Sequence, residues 1–434
     1  MKTTGQAAPL LNDLATDLLG GPLPVRLRAW DGSLAGPEDA PVVHLRTRRA
    51  LRRLLWQPDE LGLAQAYIGG DLEIEGDLDD ALRTLWQAAR DTGIRPPRVG
   101  LADRGRAAAV LLKLGAVGPR PPEPSAPSAR LGGKLHSRNR DRAAISHHYD
   151  LSNEFYERLL DTSMAYSCGV WTRPDDAGYD LADAQYDKLE IICRKLGVGP
   201  GSRMLDIGCG WGSLTLHAAE VHRTRVTAVT LARRQAEFVR ARVAERGLED
   251  LVEVRLCDYR DIEGGGYDAV STIEMGEHVG DAEYPAFAGI LHRMLRPGGR
   301  ALVQQMSRGA NAPGGGAFIE SYIAPDMHMR PLGDTLSLLE GAGLEVRHTE
   351  SLREHYVRTI RAWHETLEKN WTEFLELVGE HTARVWRLYL VGGALAFEEG
   401  RMGVDQLLAV RPAANGASEM PPTTGAWYAP DGLR

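Results

Sequence analysis

Long apolar runs are missing from this chain. The best of them, Leu388 to Phe397, falls well short of the roughly 18 residues a membrane-spanning helix requires, so any membrane contact is expected to be peripheral. The N-terminal stretch is interrupted by Asp13 and Asp17, which the apolar core of a secretory signal does not tolerate. Cysteine is scarce: Cys168, Cys193, Cys209 and Cys257 show no CxxC spacing and no paired histidine motif, so neither a disulfide framework nor a metal site is expected, and a reducing cytoplasm fits. Excess positive charge is also absent. The formal charge of −8 argues against nucleic acid as a partner. Two basic islands stand against that background, Arg46, Arg48, Arg49, Arg52 and Arg53, then Arg130, Lys134, Arg138, Arg140 and Arg142. Each reads first as a solvated helix face or charged linker, and second as a surface for anionic headgroups.

What is present implies two domains, since 434 residues exceed the usual length of one. The Pro/Ser-rich stretch RPPEPSAPS from Arg120 sustains neither helix nor ladder, which places a linker at 119–141. Residues 1–118 before it mix helical periodicity with turn signals, as in LGLAQAYIGGDLEIEGDLDDALRTLW, and predict a small α+β domain. After it, RMLDI, RVTAVT, LVEVRL, YDAVSTI and RALVQQM alternate with helix-length segments. That alternation predicts an α/β domain over 142–412, a mostly parallel sheet with helices on both faces. Residues 413–434, rich in Pro, Gly, Ala and Thr, read as a loose tail.

The strand-to-helix turn LDIGCGWGS carries Asp206, Gly208, Gly210 and Gly212. Glycines let backbone approach a ligand, and the helix N-terminus favours an anionic group. The spacing D-x-G-x-G-x-G is that of motif I of class I methyltransferases. A dinucleotide enzyme normally places an acid at the end of the second strand, whereas here TLARRQ offers Thr230 and Gln235. After the third strand, CDYRD brings Asp258 and Tyr259, suited to bond and stack on adenine.

Upstream stands AISHHYDLSNEFYERLLDTSMAYSCGVW, and downstream EMGEHVG and LREHYVRTIRAWHE. With the glycine turn, these resemble the cyclopropane and mycolic acid synthases of bacteria over about residues 142–410, and the N-terminal region resembles the accessory domain of the longer members. The resemblance implies a class I Rossmann-like fold with a seven-stranded sheet, S-adenosylmethionine (SAM) as cofactor, and an unsaturated membrane phospholipid as partner at the inner face of the cell membrane. It leaves room for a homo-oligomer through the N-terminal domain. It implies that Tyr166 and Ser167 join Asp206, Gly208, Gly210, Gly212, Thr230, Gln235, Asp258 and Tyr259 around SAM. It also implies that Cys168, Glu277 and Tyr356, with His278 beside them, form the catalytic shell that in cyclopropane synthases holds a bicarbonate base.

Two departures bear on the product. Where cyclopropane synthases carry a shell histidine on the fifth strand, this chain has Gln304 in LVQQ, and an amide does not titrate near neutrality. That replacement weighs against bound bicarbonate. Gly393 replaces a cysteine common near the C-terminus. The segments QQMSRG, FIESYIAPDMHMRP and YLVGGALAFEEGRMGVDQ resemble a subfamily that makes methylene- and methyl-branched chains of the tuberculostearic type, which implies a flavin- or nicotinamide-dependent reductase acting on the product. Tyr356, Tyr322 and Trp171 are candidates to stabilise a carbocation, Tyr356 foremost. The rival expectations are a true cyclopropane synthase, an amine methyltransferase, and a lipid-binding scaffold that keeps a degenerate cofactor fold.

Overall fold

A computed structural model describes residues 5–19, 21–91, 101–129, 131–149, 152–309 and 316–434. Arg130 and the side chain of Arg142 lie outside the described residues. The chain divides into two compact units, the first made of 1–128, 316–318 and 372–395, the second of 129–315, 319–371 and 396–434.

The first unit holds a four-stranded sheet of β1 (Arg26–Ala29), β2 (Leu34–Ala35), β3 (Val42–Leu45) and β4 (Leu72–Glu75), in the order β2-β1-β3-β4. Leu27, Ala29 and Leu45 from the sheet bury with Ala8 and Leu11 of one helix, and with Val391 and Leu395 of a helix far along the sequence. The first unit therefore recruits 372–395, which the sequence reading left in the catalytic domain. Its basic island is largely committed to structure. Arg49 and Arg53 both bond the fully buried Asp71, Arg46 pairs with Glu73, and Arg52 donates to the carbonyl of Ala116.

The second unit is built on β5 (Arg203–Ile207), β6 (Arg225–Thr230), β7 (Val252–Leu256), β8 (Tyr267–Ile273), β9 (Leu295–Ser307), β10 (Glu345–Ser351) and β11 (Gly403–Val410). Their order is β10-β11-β9-β8-β5-β6-β7, with β11 alone running antiparallel to its neighbours. Side chains alternate across the strands, so consecutive residues feed opposite faces. Leu205, Val270, Val303 and Leu407 bury on one side with Phe287 and Leu291. Met204, Ala269, Leu302 and Leu408 bury on the other with Leu189 and Ile192. The order reverses between β5 and β8, and a crevice opens there at the carboxyl ends of the strands, where doubly wound sheets bind ligands.

The C-terminal segment is not loose. Trp427 is 3% exposed and packs among Leu189 and Met204, while the Arg194 guanidinium donates to the carbonyls of Trp427, Ala429 and Asp431. One buried indole and one arginine thus order a segment whose composition predicts none. In the linker region, Arg138 pairs with Asp261 and Arg140 grips both oxygens of Asp326. No helix among the described residues is long and apolar enough to cross a membrane.

Candidate active site

The cleft at the reversal point encloses about 1200 Å³ of empty space, part of it open to solvent. Its floor is the glycine turn after β5. Gly208, Gly210 and Gly212 have φ of 81°, 54° and 84°, left-handed values that L side chains rarely adopt. A Cβ at Gly212 would also sit 3.0 Å from both methyls of Val239. The helix Ser213–Glu220 starts at Gly212 with no side-chain cap, which leaves its first N–H groups for a ligand.

Asp206 anchors this turn. It is buried, and its two oxygens accept from Thr215 Oγ1 at 2.7 Å and Ser271 Oγ at 2.8 Å; burial raises its pKa, and the two hydroxyls oppose the rise. Thr230 Oγ1 donates to Gln235 Oε1 at 2.9 Å and caps Ala232 N. The Gln235 Nε2 is buried with no partner among the described residues, and Gln235 lines the cleft. A buried donor without an acceptor costs about 1–3 kcal/mol, which a ribose hydroxyl of SAM would relieve. Tyr166, Ser167, Gly208, Gly210, Thr230 and Tyr259 all line the same cleft, as the sequence reading places them. Gly212 adjoins it as the N-cap of the floor helix. Asp258 does not line it. Its carboxylate is folded back on Arg260, accepting from the backbone N–H, Nε and a terminal nitrogen of that residue, while Cys257, Tyr259 and Arg260 face the space. These residues fit SAM.

Sequence reasoning missed Lys188. It is fully buried, lines the cleft and donates to Ser167 Oγ at 2.8 Å. Burial lowers its pKa, opposed by Glu274, Asp161, Cys168 and Asp206.

The catalytic shell differs from expectation in one acid. Cys168, Gln304 and Tyr356 do converge, but on Glu274 instead of Glu277. Glu274 Oε1 accepts from Cys168 N and Gln304 Nε2, both at 2.8 Å, and Oε2 accepts from Tyr356 Oη at 2.6 Å. Glu277 lies three residues on, in the turn Gly276–His278. Its Oε1 accepts from Met306 N and its Oε2 has no partner among the described residues. Burial, then the charge of Glu274, pushes the Glu277 carboxyl up to about 8. His278 lines the cleft but is not among those donors to Glu274. Cys168 is fully buried, its thiol pKa raised by burial and then by Glu274, so the residue serves through its backbone N–H and not as a thiolate. The bicarbonate that the resemblance implies does not fit these residues, because the Glu274 carboxylate already holds the three donors.

Gln304 has a fixed orientation. Lys195 Nζ, a donor only, bonds Gln406 Oε1 at 2.7 Å; Gln406 Nε2 then donates to Gln304 Oε1 at 2.9 Å, which turns the Gln304 amide nitrogen toward Glu274. The chain starts at Glu350, which bonds both Lys195 and Tyr428 Oη. Rings form a row from the glycine turn to the carboxylate. Trp211 meets Tyr156 (4.4 Å between centroids), Tyr156 meets Tyr166 (5.6 Å), Tyr166 meets Trp363 (5.2 Å) and Trp363 meets Tyr356 (6.1 Å). Of these rings Tyr166 and Trp211 line the cleft, whereas Tyr156, Trp363 and Tyr356 pack behind them; the other aromatic candidates, Trp171, which bonds Thr359 Oγ1, and Tyr322, do not line it either.

A reversed-order sheet, a glycine cradle at its switch point and a polar pair at the end of the second strand define a class I SAM-dependent methyltransferase. In agreement, the crystal structure of mycolic acid cyclopropane synthase CmaA1 complexed with SAH and CTAB superposes with a TM-score of 0.58 at 29% identity, covering 62% of this chain and 97% of that one. Residues 136–407 match the mycolic acid cyclopropane synthetase family, and the chain belongs to it. Among curated relatives, the probable fatty acid methyltransferase Rv3720 of Mycobacterium tuberculosis is 39% identical over 92% of this chain and 94% of its own. The tuberculostearic acid methyltransferase UfaA1 of the same organism is 32% identical over 90% and 88%. The chain is therefore an enzyme of the fatty acid methylene or cyclopropane synthase type.

Proposed function

We propose that this enzyme methylates the cis double bond of an oleoyl-type acyl chain in a membrane phospholipid, and that its product is a methylene-branched chain, precursor of a 10-methyl, tuberculostearic-type chain. The observation that carries this is the row of rings ending on a buried carboxylate. When bound, SAM supplies an electrophilic methyl group. An alkene carbon that takes the methyl leaves a positive charge on the neighbouring chain carbon. The face of Tyr166, which lines the cleft, stabilises such a charge by about 0.5–2 kcal/mol, and the packing of Trp363 and Tyr356 behind it keeps out water that would trap the cation as an alcohol. Similarity to a probable fatty acid methyltransferase and to a tuberculostearic acid methyltransferase supports an acyl acceptor over an amine.

Gln304 bears on the outcome. Immediate loss of a proton from the new methyl closes a cyclopropane ring, whereas prior hydride migration from the methylated carbon gives a tertiary cation and then an exocyclic methylene. An amide in place of an imidazole removes one titrating group from the site, lengthens the life of the cation and favours migration. A separate reductase would then yield the methyl branch. The substrate bilayer calls for peripheral attachment at the inner face of the cell membrane.

The test is incubation with oleoyl phospholipid vesicles and labelled methyl donor, followed by proton NMR of the extracted acyl chains. Downfield vinylidene signals are expected. Upfield ring protons would assign a cyclopropane synthase, and unlabelled acyl chains would reject lipid methylation.

A further inference from the structure

The second acid of the EMGEHVG segment was expected to work beside a borrowed ion, yet the first acid occupies the centre of the shell. We propose that Glu274 is the base of the reaction, standing where a bicarbonate would sit, so that this enzyme needs no dissolved carbonate. The proposal rests on carbon methylation as the reaction.

Carboxylate and bicarbonate share a planar, negatively charged O–C–O group, and the three donors address the Glu274 group from two sides. Those donors are the Cys168 backbone, the residue at the histidine position and Tyr356, the positions that the resemblance assigns to the ion. A carboxylate offers about four lone-pair sites. Two on Oε1 are taken by Cys168 N and Gln304 Nε2, and one on Oε2 by Tyr356 Oη. The remaining site on Oε2 is left for a proton, and Glu274 lines the cleft.

A second anion would find the three donors of the expected shell, Cys168 N, Gln304 Nε2 and Tyr356 Oη, already bonded to Glu274. It would also have to enter a desolvated corner beside the Glu274 carboxylate, where like charges oppose each other strongly. Burial, the largest influence, raises the Glu274 pKa and makes the group a better proton acceptor, while the bonds from Tyr356, Cys168 and Gln304 moderate the rise.

The backbone supports the same assignment. Glu274 has φ 51°, a left-handed conformation that costs a side-chain-bearing residue of order 1–3 kcal/mol and persists where the surroundings enforce it. The next link is a bond from its own N–H to Gln304 O at 2.6 Å, so β9 fixes both the main chain and the side chain of this residue.

The step balances without another reactant. The alkene pair forms the bond to the methyl carbon, and the sulfur–carbon pair stays on sulfur. After hydride migration, Glu274 Oε2 takes a proton from the methyl carbon, and the freed C–H pair closes the exocyclic double bond. Glu274 ends the turnover as a neutral acid that returns its proton to solvent.

Two measurements test this. Methyl transfer to oleoyl phospholipid vesicles is measured in carbon-dioxide-depleted buffer, with and without added bicarbonate. Carbon-13 NMR of labelled bicarbonate, with S-adenosylhomocysteine present, reports occupancy whatever the substrate. Wild type should turn over at the same rate in both buffers and bind no bicarbonate. E274Q should lose roughly 100-fold or more in rate, the scale of a positioned base, with SAM affinity by calorimetry preserved. E274G, relieved at its left-handed position, should bind bicarbonate and recover turnover only when it is added. A wild type that binds bicarbonate or is accelerated severalfold by it would overturn the proposal, as would an E274Q variant of near-normal rate. If wild type methylates no acyl chain while only E274G binds the ion, Glu274's occupancy stands and the acyl substrate is what fails.

Discussion

Replacing Glu277 by glutamine should change how stability depends on pH. The side chain is 1% exposed and its carboxyl is pushed up to about 8 from an ordinary 4.5. A shift of about 3.5 units, at about 1.36 kcal/mol each, corresponds to roughly 5 kcal/mol. The folded protein holds a proton that the unfolded chain gives up above about pH 4.5, so the contribution is complete below that pH and is lost as the pH rises through about 8. Glutamine mimics the neutral acid and cannot ionise. In urea unfolding at a series of pH values, the advantage of E277Q over wild type should grow by up to about 1.4 kcal/mol per pH unit between about 4.5 and 8, then level off. Asp161, Asp206 and Asp405 shift in the same direction but are common to both proteins and cancel in the difference. A difference that stays flat over this range would refute a neutral buried Glu277.

Gln235→Leu removes the bond from Thr230 Oγ1 but also a buried Nε2 with no partner among the described residues; the two offset, so the melting temperature should stay within a few degrees, yet SAM binding should weaken by roughly tenfold in calorimetry. Gln304→His should move product toward cyclopropane in cells expressing the variant; lipid NMR that finds the same product for both, or cyclopropane already in wild type, would remove Gln304 from product control. Gln406→Leu cuts the bond that orients Gln304, so turnover should fall by about tenfold with SAM affinity unchanged, a split a general folding defect would not give. Gly212→Ala meets Val239 at 3.0 Å with φ 84° and should lower stability by about 1–3 kcal/mol in thermal unfolding, with weaker SAM binding.

The parallel strands and the cofactor cradle are legible because they are local. Strands buried on both faces read as short apolar runs, and β5, β6 and β8 begin and end where those runs do. The strand β10 was not read from the residues. It alternates exposed with half-buried positions, so its ladder with β11 defines it more than its hydrophobicity. Glu274 was missed for a geometric reason. Two acids three residues apart look equivalent on paper, and only the left-handed backbone at the end of β8 decides which one meets Tyr356. The position of Asp258 after β7 suggests an adenine contact, but Arg260 two residues later bonds its carboxylate. The recruitment of 372–395 by the first unit and the anchoring of Trp427 depend on contacts hundreds of residues apart, which periodicity does not encode.

The left-handed backbone at position 274 has an evolutionary corollary. Glycine is the residue that adopts such a conformation with least strain, and one nucleotide change converts a glycine codon into a glutamate codon. A single mutational step at this position would therefore add or remove the carboxylate itself without rebuilding the fold, while the amide that faces it, Gln304 in place of the histidine, takes a separate substitution.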